Sequence, residues 1–199
     1  MPEHKFKHTD LVPLEQNPLS GHYHLLVVGT FNPFAENNDA PWFYGRAKNH
    51  FWFLLPQMMG QPSLHPSDTG HIPEVSVPNW KGFCARPEKS VIIVDIFRDV
   101  FVNLPNFADR HLNTLIPRQY ETFNFQQAFQ NATFDGILFT WKSMNHGTLT
   151  HLKQQYIDFF EPLGSHIMHM VTPSPAYYRI TREQKLEEWL ALYAPIANL

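Results

Sequence analysis

The residues best suited to chemistry lie at the exit of one apolar run. His24-Leu25-Leu26-Val27-Val28-Gly29 passes into Thr30-Phe31-Asn32-Pro33-Phe34, and eleven residues after Pro33 comes Tyr44-Gly45-Arg46-Ala47-Lys48-Asn49-His50-Phe51-Trp52. An apolar strand that ends in a polar turn, then a loop and a helix, sets side chains at the C-terminal edge of a parallel sheet. Open α/β folds hold their ligands at that edge. The turn offers a carboxamide, Asn32, beside a rigid proline. The following segment offers aromatic faces, the cations Arg46 and Lys48, and a second carboxamide, Asn49. Such a set suits a flat, uncharged base at the end of a phosphate chain. Asn32 takes no proton near neutral pH, but its carbonyl can orient a water; it can equally close an Asx turn before Pro33. Tyr44 and Phe51 can offer a stacking face, worth about 1–3 kcal/mol per base, or fill a core. Asn49 can cap the helix that begins at His50 or act on substrate, and the sequence does not rank the two amides.

The stretch from Thr30 to Trp52 resembles the first motif of the uracil-DNA glycosylase superfamily. The nearest likeness is to the mismatch-specific uracil-DNA glycosylase and hypoxanthine-DNA glycosylase branches, with a Gly-x-Asn-Pro turn, an aromatic residue and then Asn-x-Phe-Trp. Aligned on Pro33 without a gap, the resemblance implies that Asn32 positions the water, that Tyr44 stacks on the flipped base and that Asn49 shares the catalytic work. It groups Phe31, Phe34, Phe51 and Thr140 with Tyr44 around the base. Phe34 stands where the mismatch-specific branch has glycine and the classical uracil-specific branch tyrosine. A ring there can crowd a 5-methyl group, which favours uracil over thymine, or can equally fill the space under the loop. Thr140 ends the third strand where related enzymes use asparagine to read the base edge, and threonine offers one such bond in place of two.

Met170-Val171-Thr172-Pro173-Ser174-Pro175-Ala176-Tyr177 resembles the second family motif, Leu-Pro-Ser-Thr-Ser-Pro-Ala-Asn. It implies Ser174 on a phosphate, a loop of Pro175, Tyr177 and Tyr178 that wedges into the duplex, and Arg179 on backbone phosphate. Tyr177 replaces the family asparagine. No histidine occupies the motif, so the group that stabilises a uracil anion in the classical branch is missing. The whole resemblance implies a monofunctional DNA glycosylase that removes uracil or hypoxanthine from DNA in base excision repair. Flipping the base costs a few kcal/mol, which stacking and edge hydrogen bonds offset. No lysine stands in the place of a Schiff-base nucleophile, so the expected product is an abasic site without strand cleavage. Two other classes stay open. One is a non-catalytic base- or nucleic-acid-binding module of the same fold; the other is a hydrolase of free nucleosides or nucleotides.

Composition bounds these readings. The chain has 199 residues, 43% hydrophobic and 15% aromatic, enough for one domain with a real core. Cys84 is the lone cysteine, which rules out an internal disulfide framework and the four-cysteine iron–sulfur cluster of some glycosylase branches. Twelve histidines invite a metal, yet His22 and His24 find no third ligand at a recognisable spacing, and no His-Glu-x-x-His is present. Neither a metal nor a cofactor is expected. Gly29 alone is no dinucleotide fingerprint. The net charge of −3 counts against a strong non-specific DNA binder. A local basic face from Arg46, Lys48, Lys142, Arg179 and Arg182 remains compatible with it if Glu183, Glu187 and Glu188, on the last helix, lie on another surface. No apolar run approaches the ~20 residues of a membrane span, and the N-terminus lacks a signal-peptide core. The expected protein is a cytoplasmic monomer whose partner is DNA containing a damaged base.

The elements that must position these groups read as alternating strands and helices. Strands are expected over 24–31, 90–97, 134–141 and 166–171, and helices over 49–59, 120–130 and around Leu149, Leu152, Tyr156 and Phe160. A last helix opens with Thr181 and Gln184 in capping-box register and carries a stripe of Leu186, Trp189, Leu190 and Tyr193. Residues 1–22 read as an N-terminal arm. Residues 60–88, with prolines 62, 66, 73, 78 and 87, read as a surface excursion. The alternation predicts a three-layer α/β/α fold with a central, mainly parallel four-stranded sheet, and the resemblance implies a single uracil-DNA glycosylase-like domain over 1–199.

Overall fold

Apolar runs too long to leave one face in water form the middle of the molecule. The computed structural model describes residues 6–7, 11–32, 40–65, 72–106, 108–142, 146–174 and 179–199. The chain opens with β1 (Phe6–Lys7), α1 (Val12–Gln16), β2 (Ser20–Gly29), α2 (Phe51–Met58) and α3 (Ser76–Cys84). It continues with β3 (Val91–Asp95), β4 (Phe97–Val100), α4 (Asp109–Leu112), β5 (Tyr120–Thr122) and α5 (Phe125–Ala128). It ends with β6 (Asn131–Phe139), α6 (Thr148–Phe160), β7 (His166–His169) and α7 (Arg182–Tyr193). Four strands make one parallel sheet in the order β3-β2-β6-β7. Leu25, Leu26, Val27 and Val28 of β2 are fully buried on both faces, as a central parallel strand requires. Helices flank the sheet, which gives the expected three-layer α/β/α fold.

Aromatic side chains fill both interfaces between sheet and helices. Trp42, Trp52 and Trp80 form a ladder of stacked indoles, Trp52 lying 5.4 Å from Trp42 and 4.7 Å from Trp80. Trp189 of α7 joins this group through Phe51. A second cluster joins Phe125, Phe129, Phe134, Tyr156 and Phe160 under α6. Among the described residues, no helix is long and apolar enough to cross a membrane.

Several boundaries differ from the sequence reading, each for a backbone reason. The run 90–97 is not one strand. It leaves the main sheet at Ile96 and resumes as β4 in a second, antiparallel sheet of order β1-β4-β5. The Ile96 N–H still bonds the Gly29 carbonyl, the last rung beside β2, and the Phe97 N–H bonds the Thr30 carbonyl as the chain departs. The helix expected over 120–130 begins as β5, which pairs with β4. Its helical part starts only where Asn124 caps Gln127 N–H. The N-terminal arm contains α1 and the start of β2, with Leu11 buried. The proline-rich stretch 60–88 holds α3, whose Trp80 is fully buried and donates to Leu64 O. The Thr181–Gln184 capping box forms as read. In the stripe of α7, however, Leu190 is 44% exposed while Lys185 is fully buried.

Candidate active site

The strand order reverses at β2. The chain goes from β2 outward to β3, then returns to the other side of β2 for β6. The crevice beyond the C-terminal ends of β2 and β6 is therefore the switch point where such sheets bind ligands. Asn32 and Thr140 lie just past those two ends. Several bonds fix the Thr30–Asn32 turn. Thr30 O accepts Phe97 N–H at 3.1 Å, the Thr30 hydroxyl donates to Asp109 Oδ1 at 2.8 Å, and the Asn32 N–H donates to Asp95 Oδ2 at 2.5 Å.

The side chain of Asn32 is half-buried, and its Nδ2 donates to Trp42 O at 3.3 Å. Only the amino end of an amide can serve that carbonyl. This leaves Oδ1, which takes no hydrogen bond from any described residue, as the acceptor end. Asn49 is used the other way round. Its Oδ1 accepts the Phe51 N–H at 2.9 Å, so its acceptor end ties down the first turn of α2.

Tyr44 joins the two strands of the switch point. Its ring lies flat on Phe51, with centroids 3.9 Å apart, and its hydroxyl is 3.0 Å from Thr140 Oγ1. Phe51 is fully buried behind it, whereas Tyr44 is half-buried. The Thr140 hydroxyl, expected to read a base edge, is engaged by Tyr44 instead. Tyr44 adopts φ 55, the one positive φ among the described non-glycine residues. That conformation costs a side-chain-bearing residue about 1–3 kcal/mol and clusters at ligand sites. A tight turn holds it, in which Ala40 N–H binds Gly45 O and Gly45 N–H binds Trp42 O. Gly29 is required beneath it, because a Cβ there would collide with the Asp95 carboxyl and with the Tyr44 hydroxyl, 2.6 Å away. Burial, with the charge of Asp95 next, holds the Tyr44 hydroxyl well above its usual range, so it stays protonated as donor and acceptor.

The other expected site residues divide. Phe31 is buried and meets Phe97 edge to face, so it belongs to the core rather than to a base-binding surface. Arg46, Lys48 and Arg179 are exposed. Lys142 is exposed but paired with Glu188 at 2.9 Å, so basic and acidic residues are not segregated onto separate surfaces. Ser174 accepts the ammonium of the buried Lys185 on its carbonyl at 2.8 Å. Phe34, Pro175, Tyr177 and Tyr178 lie outside the described residues, as does Pro33. The two candidate loops meet directly, since His50 N–H donates to Pro173 O at 3.1 Å. Burial, then nearby Lys185, pushes the His50 ring down to about 4, so it is neutral at pH 7. Its buried Nδ1 has no partner among the described residues. A cleft of 850 Å³ opens elsewhere, lined by Tyr120, Asn124, Phe125, Gln155 and Phe159 among others. Its cation, Arg98, is already tied to Glu15, Asp99 and Glu121.

The sequence reading missed Asp95, Asp109, Lys185 and the position of His50. The signal for Asp95 was present, since it is the one charged residue at the end of an otherwise β-branched run, and a charge is rarely buried without a task. The described residues contain no group of three or more His, Cys, Asp or Glu side chains able to hold a metal ion.

No family model matches the chain, and neither does any curated protein. Among solved structures it is similar to a candidate uracil DNA glycosylase from Methanosarcina acetivorans, determined by solution NMR. The TM-score is 0.50 at 15% sequence identity, over 87% of this chain and 91% of that one. At this identity the likeness is one of fold.

Proposed function

We propose that the chain is a DNA glycosylase that hydrolyses the N-glycosidic bond of a deaminated base, uracil or hypoxanthine, as a step of base excision repair. The observation that carries the reading is the tethered carboxamide of Asn32. Its amino end is fixed on Trp42 O, two residues before Tyr44, and its carbonyl takes no hydrogen bond from any described residue at the β2–β6 switch point. The flipped base stacks on Tyr44, backed by Phe51. The C1′–N bond breaks with its electron pair leaving on the base. A water oriented by Asn32 Oδ1 adds to C1′ and gives up its proton to solvent. An amide suffices for this, because an oxocarbenium-like sugar needs little nucleophilic push. Asn49 holds the start of α2, and the exposed Arg46, Lys48 and Arg179, with Ser174, take backbone phosphates. The likeness in fold to a candidate uracil DNA glycosylase is consistent with this assignment.

Base release from labelled oligonucleotides tests it. They carry uracil, hypoxanthine or xanthine, in single strands and in each mismatch. Asn32→Ala is expected to lower release about 10²–10³-fold with little change in DNA affinity. Asn49→Ala is expected to cost about 1 kcal/mol of stability and a smaller part of the rate. The reverse ranking would hand the water to Asn49. Binding without release from any substrate would favour a base-binding module, and activity confined to free nucleosides would favour a nucleoside hydrolase.

A further inference from the structure

Asp95 is the last residue of β3, 1% exposed, and the register partner of Gly29. One carboxyl oxygen accepts the Asn32 N–H at 2.5 Å. The other shares with the Tyr44 hydroxyl the space over Gly29 that any side chain would fill. Its negative charge reaches three neighbours, Tyr44, Asp109 and Tyr156, each held up mainly by burial and further by Asp95. Asp109 itself receives the Thr30 hydroxyl. The turn that presents Asn32 is therefore mounted on acidic groups.

Cleavage of an N-glycosidic bond removes an electron pair from the sugar, so C1′ and O4′ gain positive charge before water adds. Asn32 is neutral and cannot offset that charge. Groups fixed in advance where charge develops contribute the largest single share of many rate enhancements, and a field inside a water-poor crevice is screened little. We propose that Asp95 is the positioning residue of the Asn32 turn and the anionic counterpart of the sugar cation. This role rests on the glycosylase reading above. Asp95 is too buried to touch substrate. It acts through the Asn32 backbone and through its field.

Two abasic-site analogues in duplex DNA test this without turnover: a pyrrolidine ring, cationic at neutral pH, and a neutral tetrahydrofuran ring. The wild type is expected to bind the cationic ring about 10–100-fold more tightly. Asp95→Asn keeps an acceptor for the Asn32 N–H but has no charge. It is expected to lose that preference, to bind the neutral ring as the wild type does, and to release base about 10²–10³-fold more slowly. Equal binding of the two rings by the wild type overturns the proposal, and so does an Asp95→Asn variant that releases base at the wild-type rate. Either result leaves the glycosylase reading standing if the wild type excises. A wild type that excises no base defeats that reading, and this role with it. Should Asp95→Asn not fold, Asp95→Glu, which keeps the charge, takes its place beside Asp109→Asn: a preference for the cationic ring kept by Asp95→Glu and by Asp109→Asn supports the proposal, and one lost only with Asp109→Asn overturns it.

Discussion

Two lysines break the rule that charge faces water, and both serve the same edge of the sheet. Lys153 of α6 is buried, lies over the rings of Phe139 and Trp141 at 4.9 and 5.0 Å, and donates to Trp141 O at 3.2 Å. Lys185 of α7 is buried and donates to Ser174 O. Each runs its stem along an apolar face and delivers its ammonium to a carbonyl at the C-terminal edge, beside Thr140 in one case and in the second candidate loop in the other. Helical periodicity assigns lysine to the solvent side, so neither was legible in the sequence. Burial brings the Lys153 ammonium down from 10.5 to about 8. Between those values the unfolded chain holds a proton that the folded chain has released, so stability rises with pH from about 8 to 10.5. Urea midpoints measured across that range are expected to climb more steeply for the wild type than for Lys153→Met. Parallel curves would show that Lys153 is no more desolvated when folded than when unfolded.

At the scale of elements, the stacked indoles bind the segment 60–88 to the rest of the fold. Trp80 lies parallel to Trp52, with 3° between their planes, and Trp52 Nε1 donates to Phe43 O in the turn that holds Tyr44. Trp80→Ala is expected to lower stability by about 3–5 kcal/mol and to impair base release through Tyr44. A thermal melt alongside the excision assay checks this, and a variant that melts like the wild type would remove Trp80 from the support of the site. The sheet itself was legible. Runs such as Leu25–Val28 and Ile137–Phe139 are apolar at every position, and only a strand covered on both faces explains them. The capping box of α7 was legible because its bonds are local. The break at Ile96 and the strand at Tyr120–Thr122 were not. Both involve backbone groups far along the chain, namely Gly29 and Thr30 in one case and β4 in the other. For the same reason Asn32 and Tyr44 could be singled out by type and spacing, whereas the Tyr44–Thr140 bond, between residues 96 apart, could not.

The whole molecule carries a net charge of −3, and the placement of its charges matters more than their sum. Lys142, beyond the end of β6, is held by Glu188 of α7, so part of the basic rim is already neutralised. Glu188→Gln is expected to release Lys142 toward phosphate. DNA binding should tighten, and the slope of log affinity against log salt should steepen by about 0.9; an unchanged slope would show that Lys142 does not reach DNA. The pairing of β2 with β6 has a consequence of a different kind. His22 and Thr133, partners in that pair, are 111 residues apart, and the crevice exists only where these two strands end side by side. During synthesis the Asn32 turn emerges long before the strand that completes its pocket. The nascent chain must therefore wait, with an apolar central strand uncovered, until β6 arrives. Pairings of such long reach close slowly, so refolding from denaturant should be slow for a chain of this size. The capacity to act on a base would return as β2 and β6 pair, rather than with the earlier growth of helix.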